Sequence, residues 1–185
     1  MKIAILGSGG REHAIAFSIS QSKKVKKIYC IPGNAGTSEI CENVFIDINK
    51  FEEIQKFLNK NNIDLVIVGP ENPLVNGIVD YLEKSNIKTF GPNRNASQLE
   101  GSKIFTKNLC KKYNIPTANF GVFKTIKDSK IFLENSQHPI VIKADNLAAG
   151  KGVYICENFK ESCLAVEEIF NGKFGDAKNV LIEEF

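Results

Sequence analysis

Four short apolar runs, Lys2–Leu6, Lys27–Ile31, Asp64–Val68 and Lys88–Phe90, each lead into a glycine-bearing loop. The first and third are continuously apolar, without the polar alternation of a half-exposed strand, which predicts parallel strands buried on both faces. Between the runs, apolar residues recur at helical spacing in Arg11–Ser20 and at Phe51, Ile54, Phe57 and Leu58, and a further helix is expected from Leu74 to about Lys84. Val44–Ile46 reads as another short strand. Strand, glycine loop and helix in alternation predict an open α/β sheet whose glycine loops share the carboxyl edge, where ligands of such sheets bind.

The loops on that edge are Gly7-Ser-Gly-Gly10, Pro32-Gly-Asn-Ala-Gly-Thr37, Gly69-Pro-Glu-Asn-Pro73 and Gly91-Pro-Asn93. A dinucleotide fingerprint does not fit the first. In Gly-x-Gly-x-x-Gly register its sixth position is Glu12, and the second strand ends in Pro32-Gly33 rather than in an acid for a ribose hydroxyl. A smaller phosphorylated ligand remains open. Arg11, Glu12, Asn34, Thr37, Glu71 and Asn72 are the polar candidates. Each alone is commonly a cap or turn former, and Glu71 also suits the start of a helix. Their convergence on one edge argues for a site.

A boundary is expected near Gly101, separating residues 1–101 from 102–185. Ser102 can cap a helix running through Lys103, Phe105, Leu109 and Tyr113, which Ile115-Pro116 ends. A strand (Asn119–Phe123), a helix (Ile126–Glu134), two strands, a helix (Phe159–Asn171) and a last strand (Val180–Glu183) then predict a small β-α-β-β-α-β unit over about 118–185. Its two middle strands, Ile140–Ile142 and Val153–Cys156, flank Lys143 and the small-residue loop Ala148-Ala-Gly-Lys-Gly152. Backbone N–H groups in such a loop can approach an anion closely, with Lys143 on the strand and Lys151 on the loop. The Gly-x-x-x-x-Gly-Lys-Ser/Thr spacing of a P-loop is missing and no helix starts at Val153. The Gly-Lys-Gly by itself also suits a plain hairpin tip, but the loop is too long for a two-residue turn.

Of 185 residues, 43% are hydrophobic and 24% charged, and the net charge of +3 is dispersed, so no nucleic-acid partner is implied. No apolar run approaches a membrane span, and Met1–Leu6 reads as a strand rather than a leader. Five cysteines, an odd number without Cys-x-x-Cys spacing, read as reduced core residues of a cytoplasmic protein. With only His13 and His138, no metal ligand is assigned among these residues.

The ordered runs Gly7-Ser-Gly-Gly-Arg-Glu-His-Ala14, Pro32–Thr37, Val68-Gly-Pro-Glu71, Phe90-Gly-Pro92, Gln98-Leu-Glu-Gly-Ser-Lys103 and Ile142-Lys-Ala-Asp145 with Leu147–Gly152 together resemble the phosphoribosylamine–glycine ligase family of the ATP-grasp superfamily, across Met1–Phe185. The resemblance implies a Rossmann-like substrate-binding N domain without a dinucleotide, followed by the start of an ATP-grasp domain with its small α+β lid. It implies joining of glycine to 5-phosphoribosylamine at the expense of ATP, with Mg²⁺ (Mn²⁺ as an alternative), in a cytoplasmic monomer. By position, Lys103 and Lys143 look like the lysines that hold ATP phosphates, and Leu147, Ala148, Ala149, Gly150, Lys151 and Gly152 like the covering loop. Lys151 is as readily a solvated lysine. Glu183, Glu184 and Phe185 look like the hinge whose main chain meets adenine. Gly9, Arg11, Glu12, Gly33, Asn34 and Glu71 would face phosphoribosylamine.

The family is more than twice this length. Its Mg²⁺ ligands are expected beyond Phe185, and the 185 residues alone are expected to be inactive. A sister purine-pathway ligase or carboxylase and a non-catalytic nucleotide-binding module are the rival readings, and an NAD(P)-dependent oxidoreductase is disfavoured by Glu12 and Pro32.

Overall fold

The computed structural model describes residues 1–145, 151–175 and 177–185, and the chain divides into two compact units, Met1–Ser97 and Gln98–Phe185. In the first, β1 (Lys2–Gly7), α1 (Gly10–Ser20), β2 (Lys27–Pro32), α2 (Ala35–Ser38), β3 (Glu42–Asn43), α3 (Phe51–Lys60), β4 (Leu65–Val68), α4 (Glu71–Val75), α5 (Ile78–Glu83) and β5 (Thr89–Phe90) follow in order. The strands pair in parallel in the order β3-β2-β1-β4-β5. The unbroken apolar character of β1 has its cause here. Ala4 and Leu6 pack with Ile54, Leu58 and Leu82 on one side, and Ile3 and Ile5 with Ala16, Ile28 and Cys30 on the other. Both faces are covered, so neither tolerates a polar residue.

Two elements differ from expectation. The predicted strand Val44–Ile46 is not one: pairing stops at Asn43, with one further bond from Val44 N–H to the Cys30 carbonyl. Val44 and Ile46 instead pack on the core while Phe45 is 89% exposed. The single helix predicted over Leu74–Lys84 is two, because Gly77 takes φ +89° between α4 and α5. That left-handed conformation is open to glycine and ends a right-handed helix.

The second unit holds α6 (Gln98–Gly101), α7 (Lys103–Lys112), β6 (Phe120–Phe123), α8 (Ile126–Glu134), β7 (Ile140–Ala144), β8 (Val153–Cys156), α9 (Phe159–Phe170) and β9 (Val180–Glu184). Its sheet is antiparallel, ordered β6-β9-β7-β8. Ile140, Ile142, Val180 and Ile182 form its core with Leu133 of α8 and Ala165, Val166 and Ile169 of α9. The side chains of Ser102, Thr125 and Asn158 accept from the backbone N–H groups three residues on and start α7, α8 and α9. Among the described residues no helix is long and apolar enough to cross a membrane.

Leu58, 1% exposed between α3 and the sheet, sets the test of this packing. Leu58→Ala is expected to lower unfolding free energy by about 2–5 kcal/mol through lost transfer energy and a residual cavity, read from urea unfolding.

Candidate functional site

The carboxyl edge of the parallel sheet holds a cleft of about 500 Å³ lined by the Gly7–Glu12 turn, Pro32, Ile48, Asn49 and Pro70–Pro73. Of the predicted residues it gathers Gly9, Arg11, Glu12, Glu71 and Asn72. Arg11 donates to the Gly69 carbonyl and pairs with Glu71 at 2.9 Å. The Glu71 carboxyl, taking a bond from its own backbone N–H and another from Arg11, is held below the usual carboxylate range. This ion pair fixes a guanidinium across the mouth of the cleft.

Glu12 has a different task from the one expected. It is 4% exposed, and its Oε2 accepts from Gly9 N–H at 2.6 Å. A Cβ added at Gly69 would stand 1.9 Å from Glu12 Oε1, and one at Gly7 would stand 2.5 Å from Glu12 Cδ. The carboxylate therefore occupies the space that the glycines leave, and it pins the first turn to the loop after β4. Gly33 and Asn34 do not line the cleft. Gly33 takes φ +76° and donates to the Gly7 carbonyl, while the Asn34 side chain accepts from Thr37 N–H and donates to the Ser8 carbonyl. Both shape the loop that flanks the glycine turn.

In the second unit the two predicted lysines meet at the end of β7. Lys103 Nζ donates to the Ala144 carbonyl at 3.0 Å, and Lys143 is the residue before it. Burial presses the Lys103 ammonium below the ordinary lysine value; Asp145 opposes it most, and the neighbouring charge of Lys143 adds to the lowering. Lys143 and Glu183 are diagonal neighbours on the paired strands β7 and β9 and form an ion pair. Lys107 binds the other oxygen of Glu183 at 2.6 Å and also donates to Thr117 Oγ1 and the Ala118 carbonyl, with its ammonium 5.4 Å from the Phe120 ring centre. Asp145 accepts from Ser102 Oγ and Ile104 N–H, so a carboxylate already crowns the start of α7.

Gly152 takes φ +82° and its carbonyl accepts from Ala144 N–H, closing the strand pair, and Lys151 is exposed. Leu147, Ala148, Ala149 and Gly150 lie outside the described residues. Glu184 N–H donates to the Asn119 carbonyl and its carboxylate accepts from the Asn119 side chain, whereas Phe185 follows the strand and is 74% exposed. Among the described residues no three His, Cys, Asp or Glu side chains gather into a metal-holding group.

Residues 1–100 match the family described as phosphoribosylglycinamide synthetase, N domain, and residues 101–185 match its ATP-grasp (A) domain. The chain belongs to the phosphoribosylglycinamide synthetase family. A phosphoribosylamine–glycine ligase of Clostridium acetobutylicum is 50% identical over all of this chain and 45% of its own length. The solved phosphoribosylamine–glycine ligase of Thermotoga maritima superposes with a TM-score of 0.81 at 31% identity, covering 100% of this chain and 44% of that one. The biotin carboxylase domain of the Hydrogenobacter thermophilus 2-oxoglutarate carboxylase also reaches 0.81, at 20% identity with 100% and 44% covered, which shows a shared fold. The chain thus spans under half the length of the relatives it matches.

Three residues that the reading of the chain left unassigned shape these two places. Asn49 reaches the first cleft from a turn with no periodic signal. Lys107 and Asp145 act through partners far away in sequence, Glu183 and Ser102. The Ser-Lys-x-x-x-Lys spacing puts Lys103 and Lys107 one helical turn apart, the one available clue.

Two predictions follow from these contacts. Gly69→Ala is expected to destabilise the protein by about 1–3 kcal/mol through overpacking against Glu12, and the cost to be smaller in a Glu12→Ala background, read as a double-mutant cycle in urea. Equal costs in both backgrounds would dismiss the contact. Burial alone would push the Glu183 carboxyl up, but Lys107 and Lys143 hold it below the ordinary 4.5. Its stabilisation is therefore complete above about pH 4.5 and is lost as pH falls through the lower folded value. Glu183→Gln should remove that part of the acid-side slope of stability against pH.

Proposed function

We propose that this chain supplies the amine-binding and nucleotide-lid parts of an ATP-dependent ligase that joins glycine to 5-phosphoribosylamine, giving glycinamide ribonucleotide, ADP and phosphate in purine biosynthesis. The observation that carries the reading is the convergence of Lys103 and Lys143 at the end of β7, within residues that match the family's ATP-grasp domain. A polyanion reaching both would meet Lys103, which is partly desolvated, and Lys143, which shares Glu183 with Lys107. The names of the relatives at 50% and 31% identity support the same reaction.

The chemistry is an activation followed by a transfer. A glycine carboxylate oxygen attacks the γ-phosphorus, the bond to ADP breaks, and glycyl phosphate forms. The amine of phosphoribosylamine then attacks the acyl carbon, phosphate leaves, and the nitrogen gives up its proton. Lys103 and Lys143 would hold the phosphates, with Lys151 and Gly152 in the covering loop and the main chain of Glu183, Glu184 and Phe185 toward adenine. Mg²⁺ would neutralise charge on the phosphates. On the first unit, the cleft bounded by Arg11, Glu71 and the Gly9 turn would take phosphoribosylamine, with Gly33 and Asn34 acting through the loop they shape. A monomeric, cytoplasmic enzyme completes the reading.

ADP release from the gene's full reading frame, with Mg-ATP, glycine and phosphoribosylamine each left out in turn, is the direct test. Strict dependence on both acceptor and amino acid is expected, and release driven by bicarbonate instead of glycine would move the protein to a sister carboxylase. In the same frame Lys143→Ala should lower kcat/KM for ATP about 10- to 100-fold, the loss of a charge-assisted contact.

A further inference from the structure

The third chemistry-bearing cluster lies on the α1 side of the parallel sheet. Cys30 is fully buried in β2 beside Ile3, Ile5 and Ala16, and Cys41 packs on the same cluster from the turn before β3. Both thiols are free, and their sulfur atoms stand 3.1 Å apart. Cys41 Sγ is also 3.1 Å from the Thr37 carbonyl. Cys41 further lines an open cleft of about 380 Å³ that includes Lys27, Ser38 and Glu39, so one member of the pair meets solvent and the other does not. Neither sulfur lines the cleft of the glycine turn, which separates this cluster from the ligase reading.

We propose that Cys30 and Cys41 are an oxidative modification site, a dithiol that takes hydrogen peroxide and closes an intramolecular disulfide around the Gly33–Ile40 segment. Access assigns the order of events. The Cys41 sulfur attacks one peroxide oxygen, the O–O bond breaks, and water leaves with the thiol proton, giving a sulfenic acid at Cys41. The Cys30 sulfur then attacks the sulfenic sulfur; the S–S bond forms, the S–O bond breaks, and the oxygen leaves as water with the Cys30 proton. Two electrons pass from the two thiols to one peroxide. Burial, with Cys41 beside it, pushes the Cys30 thiol up to about 12, so its thiolate is scarce and it is the poorer first nucleophile. The second step rests on proximity, the two sulfurs standing 3.1 Å apart.

The closed ring would contain Gly33, Asn34 and Thr37. Thr37 is fully buried, and its hydroxyl bonds the Asn43 side chain and the Asn34 carbonyl. A covalent tie across the base of this loop removes opening motions that the hydrogen bonds alone permit.

The test is titration of the purified protein with hydrogen peroxide, followed by alkylation under denaturing conditions and peptide mass spectrometry. The expected result is that its five thiols fall by two, with one linked pair containing Cys30 and Cys41 that dithiothreitol reverses. Amide exchange across residues 33–40 should slow by about tenfold or more in the oxidised form. Cys41→Ser, a change at the solvent-reached member, should abolish the thiol loss at the same peroxide dose. Retention of all five thiols, Cys41 sulfenic or sulfinic acid with Cys30 untouched, linkage through Cys110, Cys156 or Cys163, or unchanged exchange over 33–40 would each overturn the proposal.

Discussion

A carboxylate removed from water must be met by donors or by opposite charge, because its desolvation otherwise exceeds anything that packing returns. Each unit of this protein is built around one such group. In the first, Glu12 is 4% exposed and sits under the glycine turn, bonded to Gly9 N–H, with Gly7 and Gly69 leaving it room. In the second, Glu183 is 6% exposed and lies between the ammoniums of Lys107 and Lys143. The glycines after β1 and β4 are thus explained by a neighbouring side chain as much as by a ligand. The apolar strands bring these loops to one edge, and the buried acid sets their spacing.

The same constraint bears on how the second unit would accept phosphate. Lys143 is already neutralised by Glu183, and Lys103 donates to the end of β7. An incoming anion must therefore compete with a carboxylate that a second lysine also holds. Lys107 matters to this competition. By binding Glu183 from α7 it shares the negative charge, so that Lys143 can turn to a phosphate without leaving Glu183 bare. A single weak anion would gain little from such an exchange, whereas a polyphosphate that reached both Lys103 and Lys143 would gain two charge-assisted contacts at once.

What could be read from the chain follows from the range of the interaction involved. The parallel sheet was legible because burial on both faces leaves an unbroken apolar run, as in β1 and β4, and the second unit's β-α-β-β-α-β order because short apolar strand runs alternate with helical stretches along the chain. Val44–Ile46 misled for a physical reason: an apolar run that packs on the core from a loop has the composition of a strand, and only the register of β2 with β3 separates the two. The break at Gly77 was equally hidden, since a glycine within a helical pattern marks a left-handed turn only when the following helix is repositioned by its own core contacts. For the sites, Lys103 was marked only by the family resemblance, whereas Arg11, Glu71 and Lys143 announce themselves as charges at the ends of strands and the starts of helices. Glu12 carried the same signal and proved internal. Asp145 and Asn49 depend on a partner far away in sequence or on a loop without pattern, and for Lys107 the one-turn spacing from Lys103 hints at a shared helix face but not at its partner Glu183.

The fold itself does not select a reaction. A biotin carboxylase domain superposes on this chain as well as a phosphoribosylamine–glycine ligase does, each at a TM-score of 0.81, although the identities are 20% and 31%. Shared strands and helices impose the sheet edge and the second unit's sheet, and a fold by itself names no reaction. Discrimination must therefore lie in groups that the fold leaves free to vary. In the first unit those are the loops at the carboxyl edge, where Arg11 spans from the Gly69 carbonyl to Glu71 and where Asn34 ties its loop to Ser8. A guanidinium fixed by two acceptors presents its remaining surface in one orientation, and orientation is what a site needs to tell one small acceptor from another. What sets this chain apart from others of its fold is therefore to be sought in the few hydrogen bonds between loops that the glycines allow to approach, above a core that many sequences could share.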